Sequence, residues 1–204
     1  MAGPIGVRSV LVGVASTFVL LALAGSVLAT NFGSNTASYQ TSAHPCDADV
    51  FSQCIANNGL HSWYPDGLEY NQLSATRYAS NWEYDPVTDV DTTEVSSASG
   101  VDLIVRDFTY NNAYAWAWVQ CDEVATYGGT DPHRWCRPQV LRYDLSDTTR
   151  YDTVFERRYM ACHEMGHSLG LRHSSNSASC LFPDQATSDV LVANDEVVEL
   201  NGHY

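Results

Sequence analysis

The spacing of three histidines is the feature of this sequence that most restricts how it can fold. His163 and His167 are four residues apart, so a helix would place both on one face, about one turn apart, where they can bind the same ion. A continued helix would carry His173 out of reach of that ion. Gly170 lies before His173, and glycine readily adopts the left-handed conformation that ends helices. We therefore predict a helix that stops at Gly170 and three imidazoles that converge.

The start of this helix is also marked in the sequence. Thr153 and Glu156 have the spacing of a capping box, in which the two side chains satisfy free amides at a helix start. The predicted helix therefore runs from Thr153 to Leu169. Apolar and small residues recur along it at intervals of three and four and predict a buried stripe, which consists of Phe155, Tyr159, Cys162, Gly166 and Leu169.

Catalytic zinc sites contain three protein ligands and one open position. We therefore predict one catalytic Zn²⁺ bound by His163, His167 and His173. Glu164 follows His163 directly, so it points about 100° away around the helix and is poorly placed as a ligand. It is instead placed to hold a water whose pKa zinc lowers to about 7, to take its proton as general base and to pass that proton to a leaving amine. The predicted reaction is hydrolysis of an amide bond.

The run from His163 to His173 matches H-E-x-x-H-x-x-G-x-x-H, so the chain resembles the metzincin zinc metalloendopeptidases. Ser174, and a Leu-Phe-Pro that begins eight residues after His173, are similar to the matrixin pattern within that group. Leu181 occupies the position of the family's Met-turn methionine, which lies beneath the metal and is not a ligand. Leucine for methionine nearly conserves volume and costs below about 1.5 kcal/mol, so we expect zinc binding and turnover to be retained.

The resemblance extends beyond the histidines. Residues 191–204 are similar to the closing matrixin helix, with Asp195 in its acidic pair. The segment "AYAWAWVQC", residues 113–121, resembles the family's edge strand, in which Ala115, Trp116, Ala117 and Trp118 would pair with substrate. The resemblance is clear over Thr153–Tyr204 and weaker back to Leu60. It implies an α+β metzincin-like domain with a twisted mixed sheet, an active-site helix, a Met-turn-like loop and a C-terminal helix.

Hydrophobic patterning predicts the remaining elements. Apolar residues spaced along 68–84 suit a helix closed by Asp85-Pro86. Alternation predicts strands over 101–108, 113–121 and 139–145. A last helix is expected near 195–201. Strands interleaved with and followed by helices indicate an α+β or mixed α/β domain.

Composition divides the chain into three parts. A positive start, an apolar run and Val27-Leu28-Ala29 predict a signal peptide over residues 1–29, cleaved after Ala29. An uncleaved membrane anchor is the alternative, because the apolar run approaches the roughly 20 residues that a membrane helix needs. Residues 30–45 are predicted to be a flexible lead-in, and residues 46–204 a zinc metallopeptidase catalytic domain.

The cysteines are even in number and all lie beyond the predicted signal peptide: Cys46, Cys54, Cys121, Cys136, Cys162 and Cys180. In an exported chain this predicts three disulfides. The sequence does not select one of the 15 possible pairings, although pairing of neighbours closes the shortest loops. A bridge between Cys162 and Cys180 would tie the active-site helix to the turn at Leu181, and we expect it to exist.

The net charge of the chain restricts the kinds of molecule that it can bind. The net charge is −14, which repels nucleic acid and anionic lipid. We therefore expect a secreted, extracellular monomer that acts on peptides or proteins and makes no membrane contact after signal cleavage. Four acidic residues, Asp85, Asp89, Asp91 and Glu94, lie close together in sequence. A solvated acidic turn is favoured over structural calcium, because the calcium-binding Asp-x-Asp-x-Asp-Gly loop is absent.

Two readings other than an enzyme follow from the same residues. The chain could be a non-catalytic zinc-containing extracellular binding module, or a surface-anchored module whose metal site is structural. Glu164 argues against the first, because a pure binding site does not need a base, whereas Thr30 as the mature N-terminus in the culture medium would exclude the second. The other histidines lack partners at ligand spacing and are expected in surface or capping roles: His44, His61, His133 and His203.

Overall fold

A computed structural model describes residues 32–33, 54–112, 115–130, 132–147, 149, 151–183 and 194–204. The predicted signal peptide lies outside these residues, and so does the predicted lead-in except for Phe32 and Gly33. Those two residues contact the rest of the chain. Gly33 N donates to Gly170 O over 3.0 Å, and Phe32 packs against the core.

The described strands form one mixed sheet. They are β1 (Trp63–Pro65), β2 (Leu103–Phe108), β3 (Ala117–Gly128) and β4 (Trp135–Asp144). Their order across the sheet is β1-β2-β4-β3, in which β1, β2 and β4 are parallel and β3 pairs antiparallel with β4. The antiparallel strand β3 therefore lies at an edge of this sheet, as the resemblance to matrixins implies.

Three helical segments accompany the sheet. Helix α1 (Tyr70–Tyr78) continues as π-helix over Ala79–Tyr84, α2 spans Val154–Leu169, and α3 spans Asn194–His203. Helix α1 packs against α2. All three were predicted, α1 two residues too long at its start. In the described part of the chain, no helix has both the length and the apolar character needed to cross a bilayer.

The strands differ from the sequence prediction at their ends. The third strand begins at Ala117 rather than at residue 113 and continues to Gly128, because its pairing with β4 resumes at Thr126 after an irregularity that follows Cys121. Strand β4 begins at Trp135, ahead of the predicted 139. Strand β1 was not predicted, since it has three residues and ends on a proline. Its backbone pairs with β2, about 40 positions later in the chain.

The main core lies between the sheet and helices α1 and α2, and it reaches the segment around Leu181. Its largest fully buried apolar side chains are Trp63, Tyr84, Leu103, Leu141, Tyr143, Met165, Leu169, Leu171, Leu181 and Leu200. A single core that contains residues of the sheet, α2 and α3 explains why the sheet edge and the histidine helix keep a fixed relation.

Two disulfides lie within the described residues, and both join cysteines that are neighbours in sequence: Cys121 with Cys136, and the expected bridge of Cys162 with Cys180. The first joins β3 to β4 within the hairpin. The second joins α2 to the segment that carries Leu181. Cys54 is disulfide-bonded and buried. Pairing of Cys54 with its neighbour Cys46 would close the shortest remaining loop, but Cys46 lies outside the described residues.

Candidate metal centre

Helix α2 begins and ends where its sequence predicts. Thr153 Oγ1 accepts a hydrogen bond from Glu156 N over 3.1 Å, and Glu156 Oε2 accepts one from Thr153 N over 2.8 Å. This is the predicted capping box. At the other end Gly170 has φ of 108°, in the left-handed region. The helix therefore ends before His173, and the chain turns so that His173 lies near the other two histidines.

Hydrogen bonds fix the tautomer of two histidine rings. Nδ1 of His163 lies 2.7 Å from Cys180 O, and Nδ1 of His167 lies 2.7 Å from Leu171 O. A carbonyl oxygen can only accept, so both Nδ1 atoms carry the proton and donate. Both Nε2 atoms are then left with lone pairs, and they lie 3.0 Å apart. Two lone pairs at that distance cannot hydrogen-bond to each other, but they can share a cation.

The third histidine completes the group. The His173 ring lies 5.1 Å, centroid to centroid, from the rings of His163 and His167. One ligand atom from each of the three residues lies within 4.8 Å of the others. His163 is buried, His167 is half-buried and His173 is exposed. The three residues predicted from sequence are therefore together, at a place open to solvent on one side.

The same burial keeps these rings neutral. It lowers the pKa of His163 well below its usual value, with further lowering by the other two imidazoles. Burial also lowers the pKa of His167 to about 4, and partial desolvation of the imidazole lowers the pKa of His173. Neutral imidazole is the form that binds metal. Three neutral nitrogen donors with one side open fit a tetrahedral zinc ion that retains a free position.

Glu164 is a buried carboxyl group without a partner. Glu164 is 3% exposed, and its Oε2 has no hydrogen-bond partner among the described residues. Burial raises the pKa of Glu164 to about 8. A divalent cation at the three imidazoles would favour the ionised carboxylate. Because a buried polar atom without a partner costs stability, such an atom points to a function.

Comparison with known families decides what kind of protein this is. The family model described as Matrixin matches residues 68–204, which is more than half of the chain. The chain belongs to the matrixin family.

Similarity to individual matrixins is confined to short segments. The chain is 36% identical over 67 residues to interstitial collagenase A of Mus musculus, a match that covers 31% of this chain and 14% of that protein. It is 40% identical over 47 residues to matrix metalloproteinase-26 of Homo sapiens, covering 22% of this chain and 18% of that protein. The matched segments thus span less than a fifth of either relative.

Among solved structures, myroilysin is similar over 61% of this chain and 53% of its own, with 17% sequence identity and a TM-score of 0.38. Membership of the matrixin family itself implies zinc dependence, which agrees with the donor set of the three histidines.

Leu181, which the sequence predicts at the Met-turn position, lies in a turn packed against α2. Leu181 is fully buried, and a Cβ added at Gly166 on α2 would lie 3.0 Å from its Cδ2. Ser174 N donates to Leu181 O over 2.9 Å and closes the turn. Leu181 therefore packs as a buried apolar side chain against the helix that carries His163 and His167.

Two hydrogen bonds that hold this turn were not predicted from the sequence. Glu196 is fully buried and accepts a hydrogen bond from Ser179 Oγ over 2.5 Å. Ser179 Oγ in turn accepts from Leu181 N over 2.9 Å. Of the adjacent acidic residues Asp195 and Glu196, Glu196 is the buried one and Asp195 is exposed. The four-residue spacing of Glu196 and Leu200 could have indicated that Glu196 lies on the buried face of α3.

The predicted substrate strand spans the start of β3. Ala115 and Trp116 precede the strand, and Ala117 and Trp118 are its first residues. Trp116 O accepts from Asp144 N of β4 over 2.7 Å and from the Tyr151 hydroxyl. In an antiparallel pair the backbone groups alternate between the partner strand and the other side. The groups of Ala117 therefore point to the open edge of the sheet.

A second group of potential metal-binding side chains consists of disulfide-bonded cysteines. Within the described ranges, the other cluster of three metal-binding side chains is Cys54, Cys121 and Cys136, and all three are in disulfides. The acidic residues of the predicted solvated turn are in neither cluster. Glu94 pairs with Arg77 at 2.7 Å instead.

The expectation for His61 was wrong. It is 1% exposed, and its Nε2 lies 3.0 Å from Ser168 Oγ on α2. Ser168 Oγ donates to Met165 O over 2.7 Å, so it accepts from His61. His61 thus stabilises α2 through this hydrogen bond. His44 lies outside the described residues.

Proposed function

We propose that this chain is a secreted zinc endopeptidase that cleaves peptides or proteins. The observation that carries the proposal is the pair of Nε2 lone pairs of His163 and His167, 3.0 Å apart, with His173 completing a set of neutral donors. Residues 46–204 would be the catalytic domain, which follows a signal peptide over 1–29 and a lead-in over 30–45. The secreted chain would act as a monomer without membrane or nucleic-acid partners.

Glu164 would be the general base. When bound, zinc supplies a polarising charge for the substrate carbonyl and for water. Glu164 Oε2 would accept a proton from the attacking water and deliver it to the nitrogen of the leaving amine. The buried, unpaired Oε2 supports this role, since a carboxyl group with a structural role would have a partner there. A non-catalytic zinc module has no use for that group.

Substrate would bind as an added strand beside β3. Backbone groups of Ala117 at the open edge, and of Ala115 two residues before it, would hydrogen-bond an extended peptide, while those of Trp116 and Trp118 would hold the strand against β4. The contact of Trp116 O with both Asp144 N and the Tyr151 hydroxyl supports this arrangement. These bonds keep the strand against β4 and leave the opposite side for substrate.

The test compares Glu164→Gln with wild type on one peptide library. We expect one zinc per chain in both, and cleavage reduced by on the order of 10²–10⁴-fold or more in Glu164→Gln. Glu156→Gln is the control, because it makes the same change on the same helix and glutamine can also complete a capping box. Full cleavage by Glu164→Gln would refute the base. Zinc binding with no cleavage by wild type would favour the non-catalytic module.

Export has its own test. Edman sequencing or mass spectrometry of protein recovered from the culture medium should give Thr30 as the first residue. Recovery of the intact chain in the membrane fraction alone would instead support the surface-anchored alternative.

A further inference from the structure

We infer that the disulfide between Cys162 and Cys180 is a positioning device for the metal ligand His163. It holds the Cys180 carbonyl oxygen against Nδ1–H of His163 and so fixes the ring orientation that presents Nε2 to the ion. This inference rests on the proposed zinc site. It assigns to the disulfide a role in metal affinity in addition to its role in stability.

The two ends of the bridge lie next to the atoms that they position. Cys162 immediately precedes His163 on α2, and Cys180 immediately precedes Leu181. The two Cα atoms are 5.9 Å apart, and both residues are at most 1% exposed. The acceptor for His163 Nδ1, at 2.7 Å, belongs to Cys180 itself. The same residue therefore carries the covalent link and the hydrogen bond to the ligand.

A comparison of two ligands shows why His163 needs such a link. His167 donates to Leu171 O, four residues later, and the end of α2 at Gly170 sets that distance locally. His163 donates to Cys180 O, which is 17 residues away on a separate segment. Much of the intervening loop, including Ser175, Asn176 and Ser177, is exposed and lies outside helices and strands. Hydrogen bonds of Ser174 and Ser179 close the turn around Leu181. The disulfide adds a covalent link from this turn to α2, at the residue whose carbonyl oxygen accepts from His163.

Tyr84 packs against the Cys162–Cys180 disulfide. Its hydroxyl donates to Cys162 O over 2.7 Å, and it lies 3.8 Å from Cys162 Sγ and 4.0 Å from Cys180 Sγ. Tyr84 is fully buried. The bridge thus lies in a packed environment between the end of the π-helix, α2 and the Leu181 turn, and has little room to move.

The second disulfide provides a matched control. Cys121 and Cys136 join β3 and β4, and neither residue is next to a histidine of the site. Loss of either bridge releases a loop of similar size, since the sequence separations are 18 and 15 residues. A general loss of stability should therefore affect both variants. Only the bridge at Cys162 should affect His163.

The experiment measures zinc dissociation constants by chelator competition for wild type, Cys162→Ala/Cys180→Ala and Cys121→Ala/Cys136→Ala. Loss of a group that orients a metal ligand typically weakens metal binding 10–100-fold. We expect that loss in the first variant and less than about 3-fold in the second. Nitrogen-15 NMR of the metal-free proteins should show the proton of His163 on Nδ1 in wild type and a mixture of tautomers in the first variant. Wild-type affinity and tautomer in that variant would overturn the inference.

A second measurement covers the case in which the double alanine variant does not fold. Wild-type zinc protein is treated with a phosphine reductant while zinc release, the reduced cysteine pair and far-UV circular dichroism are followed. Zinc release should track loss of the Cys162–Cys180 bridge and precede loss of helix signal. Retention of zinc after that bridge is reduced, or release only with global unfolding, would contradict the inference. Failure of wild type to bind zinc would instead refute the proposed function.

Discussion

Gly166 and Leu181 pack so closely that no side chain fits at position 166. A Cβ there would lie 3.0 Å and 3.1 Å from the two Cδ atoms of Leu181, and the Tyr84 hydroxyl would be closer still. Alanine is favoured over glycine in a helix by up to about 1 kcal/mol, but overpacking costs about 1–3 kcal/mol. The clash should outweigh the gain, because Tyr84 and Leu181 are fully buried and cannot move aside.

Gly166→Ala should therefore lower the free energy of unfolding of the metal-free protein, measured by urea denaturation. Gly202→Ala is the control, since Gly202 lies in α3 and a Cβ there would meet nothing within 4 Å. It should be neutral or raise stability by up to about 1 kcal/mol. A Gly166→Ala protein as stable as wild type would show that the packing described at Leu181 is wrong.

Substitutions at Leu181 test whether leucine replaces the family's methionine. Leu181→Met should change the free energy of unfolding by less than about 1.5 kcal/mol and leave zinc affinity nearly unchanged, because the volume is conserved. Leu181→Ala should cost about 2–5 kcal/mol, because it leaves a cavity under α2. The two variants are compared by urea denaturation and zinc titration. A large loss in Leu181→Met, similar to that in Leu181→Ala, would contradict a simple packing role.

His61 makes the stability of the metal-free protein depend on pH. Burial lowers its pKa from 6.5 to about 4, and the nearby Asp102 carboxylate opposes part of that shift. Between pH 6.5 and about pH 4, His61 binds a proton in the unfolded chain but not in the folded chain. The free energy of unfolding therefore falls as pH falls through this window. The loss should reach about 3 kcal/mol near pH 4.

The comparison protein is His61→Gln, which keeps a hydrogen-bond donor toward Ser168 and does not titrate. The metal-ligand histidines are present in both proteins, so the difference between their stability–pH curves isolates His61. Parallel curves from pH 7 to pH 4 would show that His61 is not buried in neutral form.

Local features of this protein could be predicted from sequence. The Thr153 cap and the Gly170 stop depend on residues within one or two helical turns, and each is where it was predicted. The convergence of His163 and His167 follows from helical periodicity alone. The Cys162–Cys180 bridge was predictable because each cysteine adjoins a residue of the motif.

Features that depend on distant parts of the chain could not be predicted. The start of β3 is set by its register with β4, and β1 exists because β2 provides a parallel partner. His61 is buried through Ser168, which is 107 residues away. The acceptor for His163 is a backbone carbonyl, and sequence patterns carry no information on which distant carbonyl meets a ring.

Zinc titration of the metal-free protein, with peptide cleavage and bound zinc measured in the same samples, tests the central claim most directly. We predict that cleavage rises in proportion to bound zinc and reaches its maximum at one ion per chain, as expected for a single site made by His163, His167 and His173. Cleavage by the zinc-free protein at the full rate, or no cleavage with one zinc bound per chain, would contradict it.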